Sequence, residues 1–208
     1  MNIKQAETIV GGLSQTSKMP TMSISLPATL CKTGSKLRKV KGSVCSKCYA
    51  CKGAYVWKST ETALKRRFDA LMNSQWIDAM VTLMESKKRI KDSGLFRWHD
   101  SGDLQSVDHL QRIVEVAKRT PQIKHWIPTK EKKILSEFLR GNTLPDNVII
   151  RLSGAMIDGD VPTTHTHTST VTSDKDKATC RAFENNGECG TCRQCWNKEV
   201  NNIVYLAH

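Results

Sequence analysis

Eight cysteines, set as two groups of four at opposite ends of a 208-residue chain, constrain this sequence more than anything else in it. Cys31 is followed by Cys45, Cys48 and Cys51, and Cys180 by Cys189, Cys192 and Cys195, so each group is one outlying cysteine plus a C-x-x-C-x-x-C run. Between Lys52 and Thr179 there is no cysteine. An even count in a small secreted chain would suggest disulfides, but Met1–Val10 lacks the basic-then-apolar layout of a secretory signal. The expected compartment is a cytosol, where clustered thiols are metal ligands first. A C-x-x-C pair sets two sulfurs on one tight turn. A third at the same interval surrounds three corners of a cubane, and a remote fourth closes it, which is how four-iron clusters are held. Zinc sites more often use two C-x-x-C knuckles separated by a longer stretch. The expectation is two [4Fe-4S] centres, with zinc the alternative at the C-terminal group, whose Gly187–Cys195 turn reads as a closed structural site.

Charge is the second departure from the ordinary. There are 32 Lys+Arg against 20 Asp+Glu, a net +12, and the pI is near 9.4. Two four-thiolate centres at roughly −2 each would leave the protein basic. Solubility explains such a balance blandly, and attraction to a polyanion explains it more sharply. The first cysteine loop concentrates the effect: Lys32, Lys36, Arg38, Lys39, Lys41 and Lys47 lie inside it with no acid, and Lys52 and Lys58 continue the run. A solvated loop is one reading; the other is a loop that offsets an anionic cluster and recruits a phosphate-bearing partner such as nucleic acid. Tyr49, Trp57, Trp98, Trp126 and Trp196 either stack on bases or fill the core and shield the clusters.

With 38% hydrophobic residues the chain can build a core, which excludes a collagenous or disordered chain. No run approaches the roughly 20 apolar residues of a membrane span. The middle alternates strand and helix signals. Thr21–Leu26, Gly94–His99, His125–Ile127 and Val148–Leu152 read as strands; Ser59–Lys91 (one or two helices), Val107–Thr120 after an N-cap at Ser106, and Glu131–Arg140 read as helices. Alternation of this kind implies a parallel sheet, either open or a partial (β/α) barrel, with function at the loops after the strands' C-terminal ends. Residues 1–160 form this α/β core, with the cysteine loop at 31–51. Residues 161–179, rich in Thr, Ser and His, read as a long loop, and 180–208 as a C-terminal cysteine-rich module.

The strand-end loops hold the remaining candidates. Asp100 and Asp103 suit acid/base work or a divalent ion, or else cap a turn. Lys130 and Arg151 suit a phosphate or carboxylate clamp, or else are surface charge. His99 reads as packed, and His165 and His167 as solvated loop residues.

Several of these segments together resemble the phage "gene product 88" family. They are Cys31 with Cys45–Ala50, Arg97–Asp103, Thr129-Lys130, Arg151–Ser153, and the terminal Cys-x-x-Cys-Trp with Tyr205 and His208. The resemblance spans nearly the whole chain and implies phage origin, hence the host cytoplasm as the expected compartment; the charge and aromatics make nucleic acid the expected partner, with another phage or host protein the alternative and no membrane. A weaker similarity is to the radical S-adenosylmethionine enzymes, which place a three-cysteine motif after the first barrel strand and leave one iron open. That similarity implies a radical-SAM-like scaffold and S-adenosylmethionine as a cofactor. Ser101, Gly102 and Asp103 stand where that family binds the cofactor's amino group, and Lys130 and Arg151 complete the candidate cofactor-binding set. The family's C-x-x-x-C-x-x-C spacing is absent, and Cys51 offers a fourth thiolate. Whether the chain is an enzyme, radical-SAM-like or redox-active, is left open by the residues.

Overall fold

The computed structural model describes residues 1–207. The chain runs through α1 (Ile3–Val10), β1 (Ser23–Ile24), α2 (Lys32–Leu37), a string of 3-10 turns, α3 (Lys58–Ala70), α4 (Trp76–Ser86) and α5 (Lys88–Ser93). It continues through β2 (Leu95–Trp98), α6 (Val107–Arg119), β3 (Lys124–Thr129), α7 (Lys132–Leu139), β4 (Val148–Ile157), β5 (Thr168–Thr172) and β6 (Asn202–Leu206). All six strands are parallel and lie in the order in which they occur, β1 to β6. Of the two expected sheet forms the open one is found: β1 and β6 are edges, and no barrel closes among the described residues.

Crossovers of one hand between sequential neighbours put their helices on one face of a sheet, and the core divides accordingly. Ile24, Phe96, Trp98, Ile127 and Ile150 pack with Ala6, Met80, Leu110, Ile113 and Phe138 of α1, α4, α6 and α7. The alternate strand residues Leu95, Trp126 and Ile149 face the other way and meet Trp196 of the C-terminal segment. The helix-free face is thus covered by irregular chain.

Helix boundaries follow local chemistry. Ser106 caps α6 by accepting from the His109 amide at 3.0 Å. The first helix, α1, lies outside the elements expected from the sequence; Asn2 and Gln5 form a capping box there, each side chain accepting from the other's amide at 2.9–3.0 Å. Ser59–Lys91, read as one or two helices, holds three.

The largest correction concerns the Thr/Ser/His-rich stretch. Expected as a loop, it contributes β5, in the interior of the sheet between β4 and β6. Thr is β-branched and suits a strand, and its hydroxyls are satisfied in place: Thr168 donates to Asn202 at 2.9 Å, Thr172 to Asp158 at 2.8 Å, and Ser169 bonds Ser153 at 3.0 Å. Ser153 and Gly154, expected beyond a strand end, lie inside β4. His165 and His167 are not free in solvent; their Nε2 atoms bond the carbonyls of Ile150 and Lys198 at 2.9 and 2.8 Å. Residues 180–208 deliver β6 to the same sheet, so the second cysteine group lies on the crossover between two neighbouring strands.

His125 is fully buried between the Trp98 indole N–H, which donates to its Nδ1 at 3.2 Å, and the Thr120 hydroxyl, 3.0 Å from its Nε2. Burial lowers its pKa to about 3, and that of His109 to about 4. His99 is pushed down by burial as well, while burial raises the Asp103 carboxyl to about 6. Below pH 6.5 the unfolded chain protonates all three histidines and the folded chain does not; Asp103 opposes them with one proton. The three histidines outweigh the one carboxyl, so stability is expected to fall as pH drops from 6.5 toward 4. Urea unfolding at stepped pH measures it, and a flat profile over that window contradicts it.

Candidate metal centres

The first cysteine group sits at the C-terminal ends of β1, β2 and β3. After β1 the chain makes a 3-10 turn, Ala28–Leu30, and Cys31 is the residue preceding α2. Backbone bonds of 3.2 Å run from the Cys48 amide to the Cys45 carbonyl and from the Cys51 amide to the Cys48 carbonyl, winding the C-x-x-C-x-x-C run into successive tight turns. Gly34 shows how close the outlying cysteine comes. A Cβ placed there would lie 3.0 Å from Cys31 Cβ, 3.6 Å from Cys45 Sγ and 3.7 Å from Cys31 Sγ, so the two sulfurs, far apart in sequence, both border one point beside Gly34.

Four anchors hold this segment to the sheet. Glu131 accepts from the Thr33 amide and hydroxyl, each at 2.7 Å. The Asp100 carboxylate accepts from Ser23, from Ser25 at 2.5 Å and from the Tyr55 hydroxyl at 3.0 Å, while its carbonyl accepts from the Tyr49 hydroxyl. Ile157 N donates to Gly42 O at 2.9 Å, tying the loop to the tip of β4. The short polar loops at the strand ends therefore act as scaffolding for the cysteine loop.

Burial pushes the Cys31, Cys45 and Cys51 thiols up. Asp103 and the neighbouring sulfurs Cys48 and Cys45 reinforce this at Cys31, whereas at Cys45 Lys130 is the strongest opposing charge. Lys130 is itself lowered by burial and donates from Nζ to Gly154 O at 2.6 Å. It is a half-buried cation beside these sulfurs, and Arg38 is another.

The second group is assembled by the crossover to β6. The Cys180 amide donates to Val204 O, that of Cys189 to Lys18 O and that of Cys192 to Cys189 O, each at 3.0 Å. Cys195 Sγ lies 3.2 Å from the Tyr205 hydroxyl of β6. Burial pushes Cys195 up to about 11; the Tyr205 hydrogen bond opposes this, and Cys180 and Cys189 add to it. Cys189 feels Cys180 and Cys192 in the same way. All eight cysteines are free thiols, and none is bridged to another.

The cofactor-binding residues expected from the sequence behave differently from one another. Ser101 donates its hydroxyl to Leu26 O at 2.8 Å, and Gly102, at φ +79°, leaves no room for a Cβ, which would fall 2.5 Å from that of Leu26. Asp103 accepts from Leu104 N at 2.7 Å, the Thr129 hydroxyl at 2.5 Å and Lys130 N at 2.8 Å. Arg151 is fully buried and is no phosphate clamp. Its guanidinium donates to the carbonyls of Thr168, Gln194, Cys195, Asn197, Val200 and Asn201 at 2.8–3.3 Å. Five N–H groups serving six acceptors leave no donor for a ligand. The bonds pin the second cysteine segment to the helix-free face.

Arg97, Thr33, Tyr55, Glu131 and Tyr205 were not singled out from the sequence as site residues. Arg97 is the most consequential. Its guanidinium lies 4.7 Å from the centre of the Trp126 ring, and its positive charge faces Tyr49 and Asp100 on the side of the first group and Tyr205 and Cys195 on the side of the second. Arg97 opens one of the segments shared with the gene product 88 family, but only the alternation that turns it away from Phe96 and Trp98 hints at its role.

Among the described residues, no three His, Cys, Asp or Glu side chains as they stand form a group fit for one metal ion. Four thiolates around one zinc must close to about 3.8 Å of one another at Zn–S 2.3 Å; a cubane holds its sulfurs further apart. Four cysteines in each group are the donor set that a four-iron cluster or a four-thiolate zinc would require.

The gene product 88 family pattern matches residues 2–198. This chain belongs to that family. No curated protein and no solved structure matches it. Across this gene product 88 protein, no helix among the described residues is long and apolar enough to cross a membrane.

Replacing Arg151 by Met strands six carbonyls under the second cysteine segment. The expected cost is about 3–5 kcal/mol in urea unfolding. Arg151→Lys recovers little of it, since one ammonium has three donors; a loss under 1 kcal/mol in the Met variant would remove Arg151 from this role.

Proposed function

We propose that this gene product 88 protein is an iron–sulfur protein that holds two [4Fe-4S] centres, one on Cys31, Cys45, Cys48 and Cys51 and one on Cys180, Cys189, Cys192 and Cys195, and uses them to exchange single electrons. The observation that carries the reading is the convergence of Cys31 Sγ and Cys45 Sγ on the space beside Gly34, across the intervening loop. In the second group Cys195 Sγ lies 3.2 Å from the Tyr205 hydroxyl and feels the charge of Cys180 and Cys189. Unliganded, the half-buried thiols of Cys31, Cys45, Cys51, Cys180, Cys189 and Cys195 resist ionisation and feel one another's charge; a bound cationic centre would reverse that balance by holding them as thiolates. Zinc is the second reading for the C-terminal group. It would need the four sulfurs to draw in from where they stand.

The electron-carrier reading is favoured over cofactor cleavage by what the strand-end loops do. Ser101 and Asp103, the residues for an S-adenosylmethionine amino group, spend their polar atoms on Leu26, Leu104, Thr129 and Lys130. Cys51 follows Cys48 on the next tight turn, its amide bonded to the Cys48 carbonyl at 3.2 Å, which leaves a fourth thiol at hand to close the centre. The chain's own residues bind and insulate: Trp126 and Trp196 pack 5.1 Å apart over the sheet beside Cys195, and Arg97 sets a half-buried positive charge that both sites feel, favouring the reduced, more negative state of each.

Oxygen-free purification with iron, sulfide and zinc analysis tests this directly. About eight irons and eight sulfides per chain are expected, with broad visible absorbance. Cys51→Ala is expected to lose about half the iron while leaving the second centre loaded. Full retention of iron in that variant would mean three-thiolate ligation with an open iron, and zinc without sulfide would replace the reading altogether.

A further inference from the structure

We infer that the exposed turn from Lys47 to Lys58, together with the start of α3, is a binding surface for single-stranded nucleic acid. The observation behind it is independent of what the cysteines hold. Between Lys32 and Thr60 the chain has eight cations and no acid. Among the described residues, none of the eight takes part in an ion pair, although Lys65, Lys87, Lys88, Arg112 and Arg119 elsewhere do. Concentrated like charge repels itself and gains nothing for the fold. Even a cluster of roughly −2 on the four cysteines would leave this segment near +6.

The apolar exposure falls in the same place. Four of the five tryptophans are at most 5% exposed, but Trp57 is 64% exposed, and Tyr49 and Val56 near it are 46% and 50% exposed. Tyr49 turns its hydroxyl inward onto Asp100 and packs edge-on against Tyr55 at 5.7 Å, so its ring is fixed while one side stays open. A rigid aromatic face beside lysines is the surface on which an unpaired base stacks. Trp57 also immediately precedes the 13-residue α3 and has no side-chain group to cap it, so the first amides of that helix are left without a side-chain acceptor. They point their partial positive charge at the place where Lys58 and the hydroxyls of Ser59 and Thr60 begin. Phosphate oxygens fit that end and a base fits Trp57. From Lys47 to Trp57 the chain is built of 3-10 turns and presents only the end of α3, with no strand pair to enter a duplex groove, and stacking needs a base out of its pair, so the single strand is the form that fits.

The test uses the full chain, purified without oxygen, with fluorescein-labelled oligothymidylate and oligouridylate of about 20 nucleotides followed by anisotropy, and with iron measured on each sample. Binding is expected with log K falling as log salt rises, and each Lys→Gln change at Lys47, Lys52 or Lys58 should reduce that slope by about 0.7. Trp57→Ala should weaken binding about tenfold, and Trp57→Phe should restore most of it. Circular dichroism and iron content unchanged in these variants separate loss of the surface from loss of the fold or the centres. Absence of binding at low salt, an unaltered Kd in Trp57→Ala, or equal or tighter binding to duplex DNA or to phosphatidylglycerol vesicles would each overturn the inference. If strands bind but no iron is found, the surface stands and the iron–sulfur reading falls.

Discussion

A parallel sheet has to be covered on both faces, because its strands are apolar on both sides. In this chain the six strands follow one another in order, which commits the helices to one face and leaves the other to whatever irregular chain can reach it. The cover is thin in apolar terms: Leu95, Trp126, Ile149 and Trp196 make up its buried cluster, with Met19 and Tyr205 packed at the margin. An irregular segment leaves backbone carbonyls that no ladder satisfies, and Arg151 answers that need by gathering carbonyls on both sides of Trp196. The second cysteine group lies in this same cover. A metal centre there would cross-link chain that secondary structure does not hold, with its binding energy counted as folding energy.

The first cysteine group follows a different logic. It is not a cover for a face but a rim on the strands' C-terminal ends, where the loops after β1, β2, β3 and the tip of β4 meet. The residues at those ends form an interlocking set: Asp100 for the tyrosines, Glu131 for Thr33, and Asp103 for the turn that aims Lys130. Each buried carboxylate is matched by donors from a different element, so the loop geometry is fixed by tertiary partners rather than by local turn preference. Arg97 connects the two regions. It emerges from the middle of β2 on the helix-free face, lies over Trp126, and places one cation where both groups feel it. Two sites separated by more than a hundred residues of sequence thus share one electrostatic environment.

The central alternation was readable because it rests on short-range patterns. Val107–Arg119 repeats apolar residues at helical spacing behind a serine cap, and Val148–Leu152 is an apolar run that only a buried strand accommodates. The failures have equally physical causes. Thr168–Thr172 holds one strongly apolar residue, and its burial depends on hydroxyl partners at Asn202, Ser153 and Asp158 that lie 14 to 34 positions away. The first helix is short, and its identity depends on a cap pair that hydropathy does not register. Arg151 at a strand end read as a ligand clamp because nothing local shows that six carbonyls will converge on it.

Sequence alone determined the two sulfur quartets, the basic run around the first, the parallel α/β class and family membership, since each is carried by residue type and near spacing. Tertiary structure decided which face of the sheet goes without helices, that the second quartet is built into a strand crossover, that Ser101, Gly102, Asp103 and Arg151 are occupied within the fold, and that Trp57 stands open. Those outcomes depend on which distant groups meet, and a donor's partner or a ring's exposure is a property of the packed chain rather than of its neighbours in sequence.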